Sequence, residues 1–149
     1  MNADRQRRLL LTQAAAGLAL LAGAGAAQST GPDSPSGAAQ RRWFDAALRM
    51  QQLALSWGDQ PYGAVLVLNQ AIVGDGPSRV VRNNDPEAHA EREAIRDAQR
   101  RLGRASLAGS ILYSTARPCR ACEAAAARAG VARMVFGPEL RDAGAPTPG

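Results

Sequence analysis

The sequence predicts an α/β fold in three layers, with helices on both faces of a mixed sheet. Helical and strand-like segments alternate along residues 41–136, and this alternation is typical of that class. Within residues 110–136 the order is strand, helix, strand, which implies a parallel pair joined by a right-handed crossover. The length agrees, because roughly 100 residues between two polar ends suit a single domain.

The first helix is predicted over residues 41–57, because apolar side chains recur there at helical spacing. These side chains belong to Trp43, Phe44, Ala47, Leu48 and Leu55. A Gly-Asp-Gln-Pro segment at 58–61 ends the helix. The apolar run 62–68 then predicts a buried strand, and a tight Asn-Gln turn leads into an antiparallel partner over 71–74.

The second half of the chain repeats the alternation. A helix is predicted over 88–102, stopped by Gly103. A strand over 110–114, a helix over 119–129 stopped by Gly130, and a strand over 131–136 follow. We expect the apolar face of the 88–102 helix to point inward, and that face consists of Ala90, Ala94, Ile95, Ala98 and Leu102.

Residues 1–27 have the order of an export signal. Arginines come first, an apolar run follows from Leu9, and small residues at 24–27 offer cleavage sites. The Arg7-Arg8 pair before three leucines resembles a twin-arginine signal, so we expect an exported or periplasmic protein. An uncleaved membrane anchor is the alternative, but three glycines in the run weaken it. We therefore expect no stable membrane span once the signal is removed.

Two polar stretches flank the predicted domain of residues 41–141. Residues 28–40 lack large apolar side chains and predict a flexible linker, and residues 142–149 predict a disordered tail. Signal removal would take away three arginines and one aspartate and lower the net charge from +5 to +3. Because this charge is spread along the chain, it predicts a solvated surface and no nucleic-acid partner.

A metal site is predicted from the only histidine and the only two cysteines. They occur in two short motifs, His89-Ala90-Glu91 and Pro118-Cys119-Arg120-Ala121-Cys122. One imidazole and two thiolates leave the fourth position of a tetrahedral zinc ion open, as in catalytic sites. A redox dithiol, or a disulfide formed after export, is the alternative for the Cys-x-x-Cys pair. Export as a folded protein would let zinc occupy the thiolates first.

Glu91 follows His89 by two residues, so it points away from the ligand direction and is free to face a bound water. The pair of motifs H-x-E and P-C-x-x-C is the signature of zinc-dependent base deaminases. In that chemistry a zinc-activated water attacks the amine-bearing carbon, and the carboxylate carries the protons and helps ammonia leave. The motifs therefore predict hydrolytic deamination.

Residues 43–137 resemble the cytidine and deoxycytidylate deaminase superfamily, and within it the branch of guanine deaminases and tRNA-adenosine deaminases. The motifs that carry the resemblance are the first-strand segment 61–65, the metal-helix segment 85–91, the strand 111–115, the cysteine motif and the strand 131–137. The resemblance implies a cytidine-deaminase-like fold, with His89, Cys119 and Cys122 as zinc ligands and Glu91 as the proton shuttle. It also implies a homodimer.

The substrate side departs from the branch. Ser78 stands where relatives usually have an asparagine that contacts the base, and Arg117 stands where they usually have glutamate. Little chain follows Phe136, so we expect less cover over the substrate than in relatives. Asn83 and Asn84 are the nearby amides that could replace the missing one, and Tyr62 is the aromatic residue expected near the pocket. With Ser78 and Ala90, Asn83 and Tyr62 complete the predicted substrate contacts.

The leading interpretation is an exported zinc hydrolase that deaminates a small nucleobase or nucleoside, with guanine as the first candidate, in nucleoside metabolism. A zinc-binding module of the same fold that has lost turnover is the alternative from another class, motivated by Ser78 and Arg117. A tRNA-adenosine deaminase is the third interpretation, and it requires that the export signal not be used.

Overall fold

A computed structural model describes residues 35–149, and the predicted export signal at 1–27 lies outside them. In this part the chain alternates between helices and strands as predicted. The elements are α1 (Gly37–Ser56), β1 (Gly63–Leu68), β2 (Ala71–Pro77), α2 (Val80–Asn83), α3 (Ala90–Leu102), β3 (Ile111–Ser114), α4 (Arg120–Ala129), β4 (Arg133–Phe136) and β5 (Arg141–Gly144).

The strands form one sheet in the order β2-β1-β3-β4-β5. β3 and β4 are parallel, and α4 is the crossover between them, while the other neighbours are antiparallel. The prediction of a mixed sheet with one parallel pair is confirmed. The carboxyl end of β3 leads directly to the cysteine motif, which places that motif at the sheet edge where α/β proteins commonly bind ligands.

Alternate residues of the inner strands point to opposite faces, as the period of a strand requires. One face packs against α3 and α4 through Ala64, Leu66, Leu112 and Met134. The other packs against α1 through Val65, Val67, Tyr113 and Val135. The three-layer prediction is therefore confirmed.

The predicted linker overlaps the first helix. α1 begins at Gly37, four residues before the predicted start, because the Ser36 hydroxyl accepts a hydrogen bond from the Ala39 amide at 3.2 Å. A serine in this position satisfies an otherwise unpaired helix N–H. The linker prediction is wrong for residues 37–40, and residues 28–34 lie outside the described part.

The predicted disordered tail is also too long. Residues 141–144 form β5, which adds an edge strand antiparallel to β4. An ion pair of 2.7 Å between Arg133 and Asp142 joins the two strands. The short polar segment carries no apolar alternation, so nothing in its pattern indicated a strand.

Leu102 was predicted to face inward but is 36% exposed, because it lies on the last turn of α3.

Two glycines of β2 seat α3 against the sheet. A Cβ atom at Gly74 would overlap the backbone of α3 at Ala94, and one at Gly76 would overlap it at Ala90. Helix and strand therefore approach more closely than larger residues would permit. This contact fixes the start of α3, where His89 lies.

Within residues 35–149, no helix combines the length and the apolar character that crossing a membrane requires.

The short helix α2 was not predicted, and a buried carboxylate holds it in place. Asp59 accepts hydrogen bonds from the Gln60 amide at 2.8 Å, the Ser78 hydroxyl at 2.9 Å and the Arg82 amide at 2.8 Å. The side chain thus ties the turn after α1 to the segment after β2. Burial alone would raise the pKa of Asp59, but these donors outweigh it and hold the pKa below the ordinary 3.8.

Asp59→Asn is expected to lower the free energy of unfolding at pH 7 by about 2–4 kcal/mol, because an amide nitrogen replaces one acceptor oxygen and leaves buried donors unpaired. Since the folded pKa lies below the unfolded one, the stabilisation is complete above about pH 4 and is lost as the pH falls through the folded value. Urea unfolding at several pH values measures both effects. Asp45→Asn, on the exposed face of α1, is the matched control. A difference between wild type and Asp59→Asn that stays constant down to pH 2 would contradict this account.

Candidate active site

The three metal-ligand candidates lie at the starts of two helices. His89 is the N-cap residue of α3, and Cys119 is the N-cap residue of α4. Neither side chain caps its own helix by a hydrogen bond, so both are available to a ligand. Cys122 lies in the first turn of α4 and is buried. Both helices thus direct their positive ends at the same point.

The distances fit a tetrahedral zinc ion. Nδ1 of His89 lies 3.6 Å from Sγ of Cys119 and 3.5 Å from Sγ of Cys122. With Zn–S bonds of about 2.3 Å and a Zn–N bond of about 2.0 Å, tetrahedral geometry places sulfur and nitrogen about 3.5 Å apart. The three ligand atoms all lie within 4.8 Å of one another. The chain contains no further histidine or cysteine, so one of four positions stays open to water or substrate.

The cysteines are free thiols in this geometry. Burial raises the pKa of the Cys122 thiol, and the neighbouring Glu91 carboxylate raises it further. A buried thiol of this kind needs a strong electrophile to lose its proton. Zinc held by His89, Cys119 and Cys122 would supply that electrophile, and its binding would be accompanied by proton release.

Glu91 lies in the first turn of α3 and is 6% exposed. Its Oε1 atom accepts a hydrogen bond of 3.1 Å from the Ser114 hydroxyl at the end of β3. Its Oε2 atom lies 3.6 Å from Sγ of Cys122. Within residues 35–149 the only group of potential metal ligands is the His-Cys-Cys set, and it does not include this carboxylate. Glu91 is therefore held beside the metal position and outside the ligand set.

A pocket of about 200 Å³ opens over this point. Its lining includes His89, Glu91 and Cys119 of the predicted site, together with Gln60, Tyr62 and Arg117. The volume is below the roughly 300–1,000 Å³ of pockets for drug-sized ligands. The pocket therefore has the size for one small ring system next to the metal position.

Of the predicted substrate contacts, the structure brings only Tyr62 into this pocket, where it is 43% exposed. Ser78 is fully buried and donates its hydroxyl hydrogen bond to Asp59, so it does not line the pocket. Asn83 is exposed on α2, away from the lining. The Ala90 side chain belongs to the apolar core, although its backbone N–H at the helix start has no partner within the helix.

Sequence reasoning missed three residues that shape the site. Ser114 holds Glu91 from the sheet, and Gln60 lines the pocket. The Thr115 hydroxyl accepts a 3.1 Å hydrogen bond from the Gly63 amide, and this bond links the start of β1 to the loop before the cysteines. No spacing pattern joins residues so distant in the chain, so only the strand pairing reveals them.

Comparison with known proteins agrees with this geometry. The profile of the cytidine and deoxycytidylate deaminase zinc-binding region matches residues 38–138. A tRNA-specific adenosine deaminase of Buchnera aphidicola subsp. Schizaphis graminum is 37% identical over 100 residues, 67% of this chain and 66% of that protein. The guanine deaminase of Bacillus subtilis is 47% identical over 62 residues, 42% of this chain and 40% of that protein.

A solved structure from work on A-to-I editing by tRNA:A34 deaminases superposes with a TM-score of 0.63 at 36% identity, covering 64% of this chain and 70% of that one. The chain spans at most about two thirds of the length of the two curated relatives above. The predicted fold, family and zinc cofactor are confirmed by these matches together with the ligand geometry. The chain belongs to the cytidine and deoxycytidylate deaminase family, whose zinc-binding region it carries.

Proposed function

We propose that this chain catalyses zinc-dependent hydrolytic deamination of an amine-bearing purine, with free guanine or its nucleoside as the first candidate. The observation that carries the proposal is the placement of Glu91, a buried carboxylate beside an open metal position and at the wall of a small pocket. An acid that faces both a water site and a substrate site is the arrangement that proton transfer between them requires.

The chain's own residues account for the proton transfers. When bound, zinc lowers the pKa of a coordinated water toward about 7 and so supplies the nucleophile. Glu91 takes the proton that this water loses and delivers it to a ring nitrogen of the base. The carboxylate then assists the departure of ammonia from the carbon that bore the amine. Ser114 keeps Oε1 in place by its hydrogen bond, so Oε2 is the oxygen directed toward the metal side.

The burial of Glu91 argues for turnover and against an inactive zinc module. Burying a carboxylate is costly unless hydrogen bonds or a nearby cation compensate, and within residues 35–149 Glu91 forms no ion pair with a side chain and accepts its hydrogen bonds from Ser114 and Cys122. A zinc site kept for stability alone gains nothing from that cost. A proton shuttle accounts for it.

The purine class is supported by the relatives and by the pocket. The relatives described above are named for guanine and for adenosine in tRNA, and both bases are purines carrying an exocyclic amine. The pocket is small, and the half-exposed ring of Tyr62 offers a flat apolar wall for a base.

Adenosine in tRNA is the second candidate substrate. Two exposed arginines favour it: Arg117 at the pocket and Arg120 in the first turn of α4 have no acidic partner within residues 35–149. The Arg117 guanidinium lies over the Phe136 ring, 5.8 Å from its centroid, and its donors are not taken up by a carboxylate. Guanidinium groups without an acidic partner suit a phosphate backbone. This function needs the chain to remain with cellular RNA, so it competes with export.

The two substrates are distinguished by ammonia release from guanine, guanosine, adenosine, cytosine and an adenosine-containing anticodon stem-loop RNA. We expect release from the free purine, with little dependence on ionic strength. Ammonia release from the RNA alone would assign the tRNA function instead. That release should fall steeply as the salt concentration rises from about 50 to about 200 mM, because salt weakens contacts with phosphates.

Ser114→Ala is expected to lower kcat by about 10-fold, a typical effect of removing a group that orients a reacting residue, while zinc content stays unchanged. Steady-state ammonia release and metal analysis measure the two quantities. Ser110→Ala is the matched control, because Ser110 is equally buried just before β3 and its hydroxyl has no hydrogen-bond partner. Equal kcat values for Ser114→Ala and Ser110→Ala would show that Ser114 does not position Glu91.

We also propose export of this chain by a twin-arginine route, on the sequence of residues 1–27. Arg7→Lys with Arg8→Lys, in the full chain expressed in a bacterial host, should retain the protein in the cytoplasm if this route is used.

A homodimer is proposed from family resemblance alone. The molar mass in solution, measured by light scattering, tests it.

A further inference from the structure

Gln60 lies in the turn between α1 and β1, with both of its backbone groups fixed. Its N–H donates to Oδ1 of Asp59 at 2.8 Å, and its carbonyl accepts a hydrogen bond of 2.8 Å from the Tyr62 amide. Its side chain lines the pocket together with Glu91 and Cys119. Within residues 35–149 the Gln60 side-chain amide makes no hydrogen bond, so its polar atoms are available to a molecule in the pocket.

No other side chain of the lining carries a donor and an acceptor on two neighbouring atoms outside the predicted metal ligands; Tyr62 offers a single hydroxyl. Arg117 only donates hydrogen bonds, and Glu91 is committed to Ser114 and to proton transfer. An amide presents a donor and an acceptor side by side. That pair matches the adjacent acceptor and donor on the edge of a base, as in the bidentate contact between glutamine and adenine in nucleic-acid recognition.

The support beneath Gln60 is rigid. Asp59, 6% exposed, joins the Gln60 amide, the buried Ser78 hydroxyl and the Arg82 amide in one network. A turn held in this way loses little further freedom when a ligand binds, so its contacts retain most of their binding energy. Ser78, the residue expected to touch the base, instead stabilises the turn that presents Gln60.

We propose that Gln60 is the specificity-determining residue of the pocket and that its side-chain amide pairs with the donor–acceptor edge of the substrate base. This inference rests on the proposed function for the identity of the site. It adds that the substrate must present a hydrogen-bond donor next to an acceptor on the edge that faces the α1–β1 turn.

Kinetics on the full, zinc-loaded chain test the inference. With the base of the panel that the wild type deaminates fastest, Gln60→Leu is expected to raise KM about 10- to 100-fold, with a smaller change in kcat, because a bidentate base contact is lost. Gln60→Glu keeps the acceptor oxygens and loses the donor, so it should change the order of preference among the bases. Gln52→Leu, on the exposed face of α1, is the matched control.

Equilibrium dialysis of radiolabelled guanine and adenine with Glu91→Gln protein separates recognition from chemistry. The Gln60→Leu substitution in that background should weaken binding by a similar factor, with zinc content unchanged. Unchanged KM and unchanged binding in Gln60→Leu would overturn the inference. Base binding that depends on Gln60, in a wild type that releases no ammonia, would uphold it and refute the proposed deamination. Absence of any base binding would refute both.

Discussion

Glu91→Gln is expected to lower kcat by about 10²- to 10⁴-fold, the usual contribution of general acid–base catalysis, while one zinc ion per chain remains bound. The substitution preserves the side-chain volume and the acceptor for Ser114. It removes the group that carries the proton between water and base. Zinc analysis of the same samples used for ammonia release separates a lost proton shuttle from a lost metal.

Glu93→Gln provides the control for this experiment. Glu93 is also buried in the first turn of α3, but it pairs with Arg79 and Arg96 and does not line the pocket. We expect Glu93→Gln to reduce stability, because its ion pairs with Arg79 and Arg96 are broken at a buried position, and to leave kcat close to that of wild type, because Glu93 does not line the pocket. Wild-type turnover in Glu91→Gln would remove Glu91 from the mechanism.

Cys122→Ala is expected to abolish both zinc binding and turnover. The site has only three protein ligands, and two ligands hold zinc too weakly to survive purification. Loss of the ion also removes the stabilisation that binding gives to the folded state, about 2.7 kcal/mol for zinc at 100 times its dissociation constant. Metal analysis, ammonia release and thermal unfolding on one preparation measure the three effects.

Excess zinc should not restore turnover to Cys122→Ala, because the missing thiolate is part of the site itself. The same excess should restore turnover to wild-type protein from which a chelator has removed the zinc. A Cys122→Ala protein that retains stoichiometric zinc and turnover would show that the ion lies elsewhere.

The layers and two strand pairings, β1 with β2 and β3 with β4, could be predicted from the sequence, because buried strands and amphipathic helices alternate and glycines end two of the helices, at Gly103 and Gly130. What the pattern could not predict lies in short polar segments. β5 is held by an edge ladder and one ion pair, and the start of α1 by one serine hydroxyl. Neither feature produces an apolar period.

The metal set could also be predicted, because the chain has one histidine and two cysteines and they occur in recognisable motifs. Of the predicted substrate contacts, only Tyr62 lines the pocket. The prediction for Ser78 followed the family position, whereas in the structure its hydroxyl is bonded to the buried Asp59 and Gln60 lies at the pocket. Ser78 and Asp59 are 19 residues apart in the sequence, so no local spacing pattern predicts the hydrogen bond between them.

We propose that zinc at His89, Cys119 and Cys122 supports purine deamination in the pocket beside Glu91. The most direct test is ammonia release from guanine by the full chain in three states: as purified, stripped by a chelator, and reloaded with one equivalent of zinc. We expect ammonia release in the first state, none in the second and recovery in the third. A folded, zinc-loaded protein that releases no ammonia from guanine or from the other substrates of the panel would contradict it.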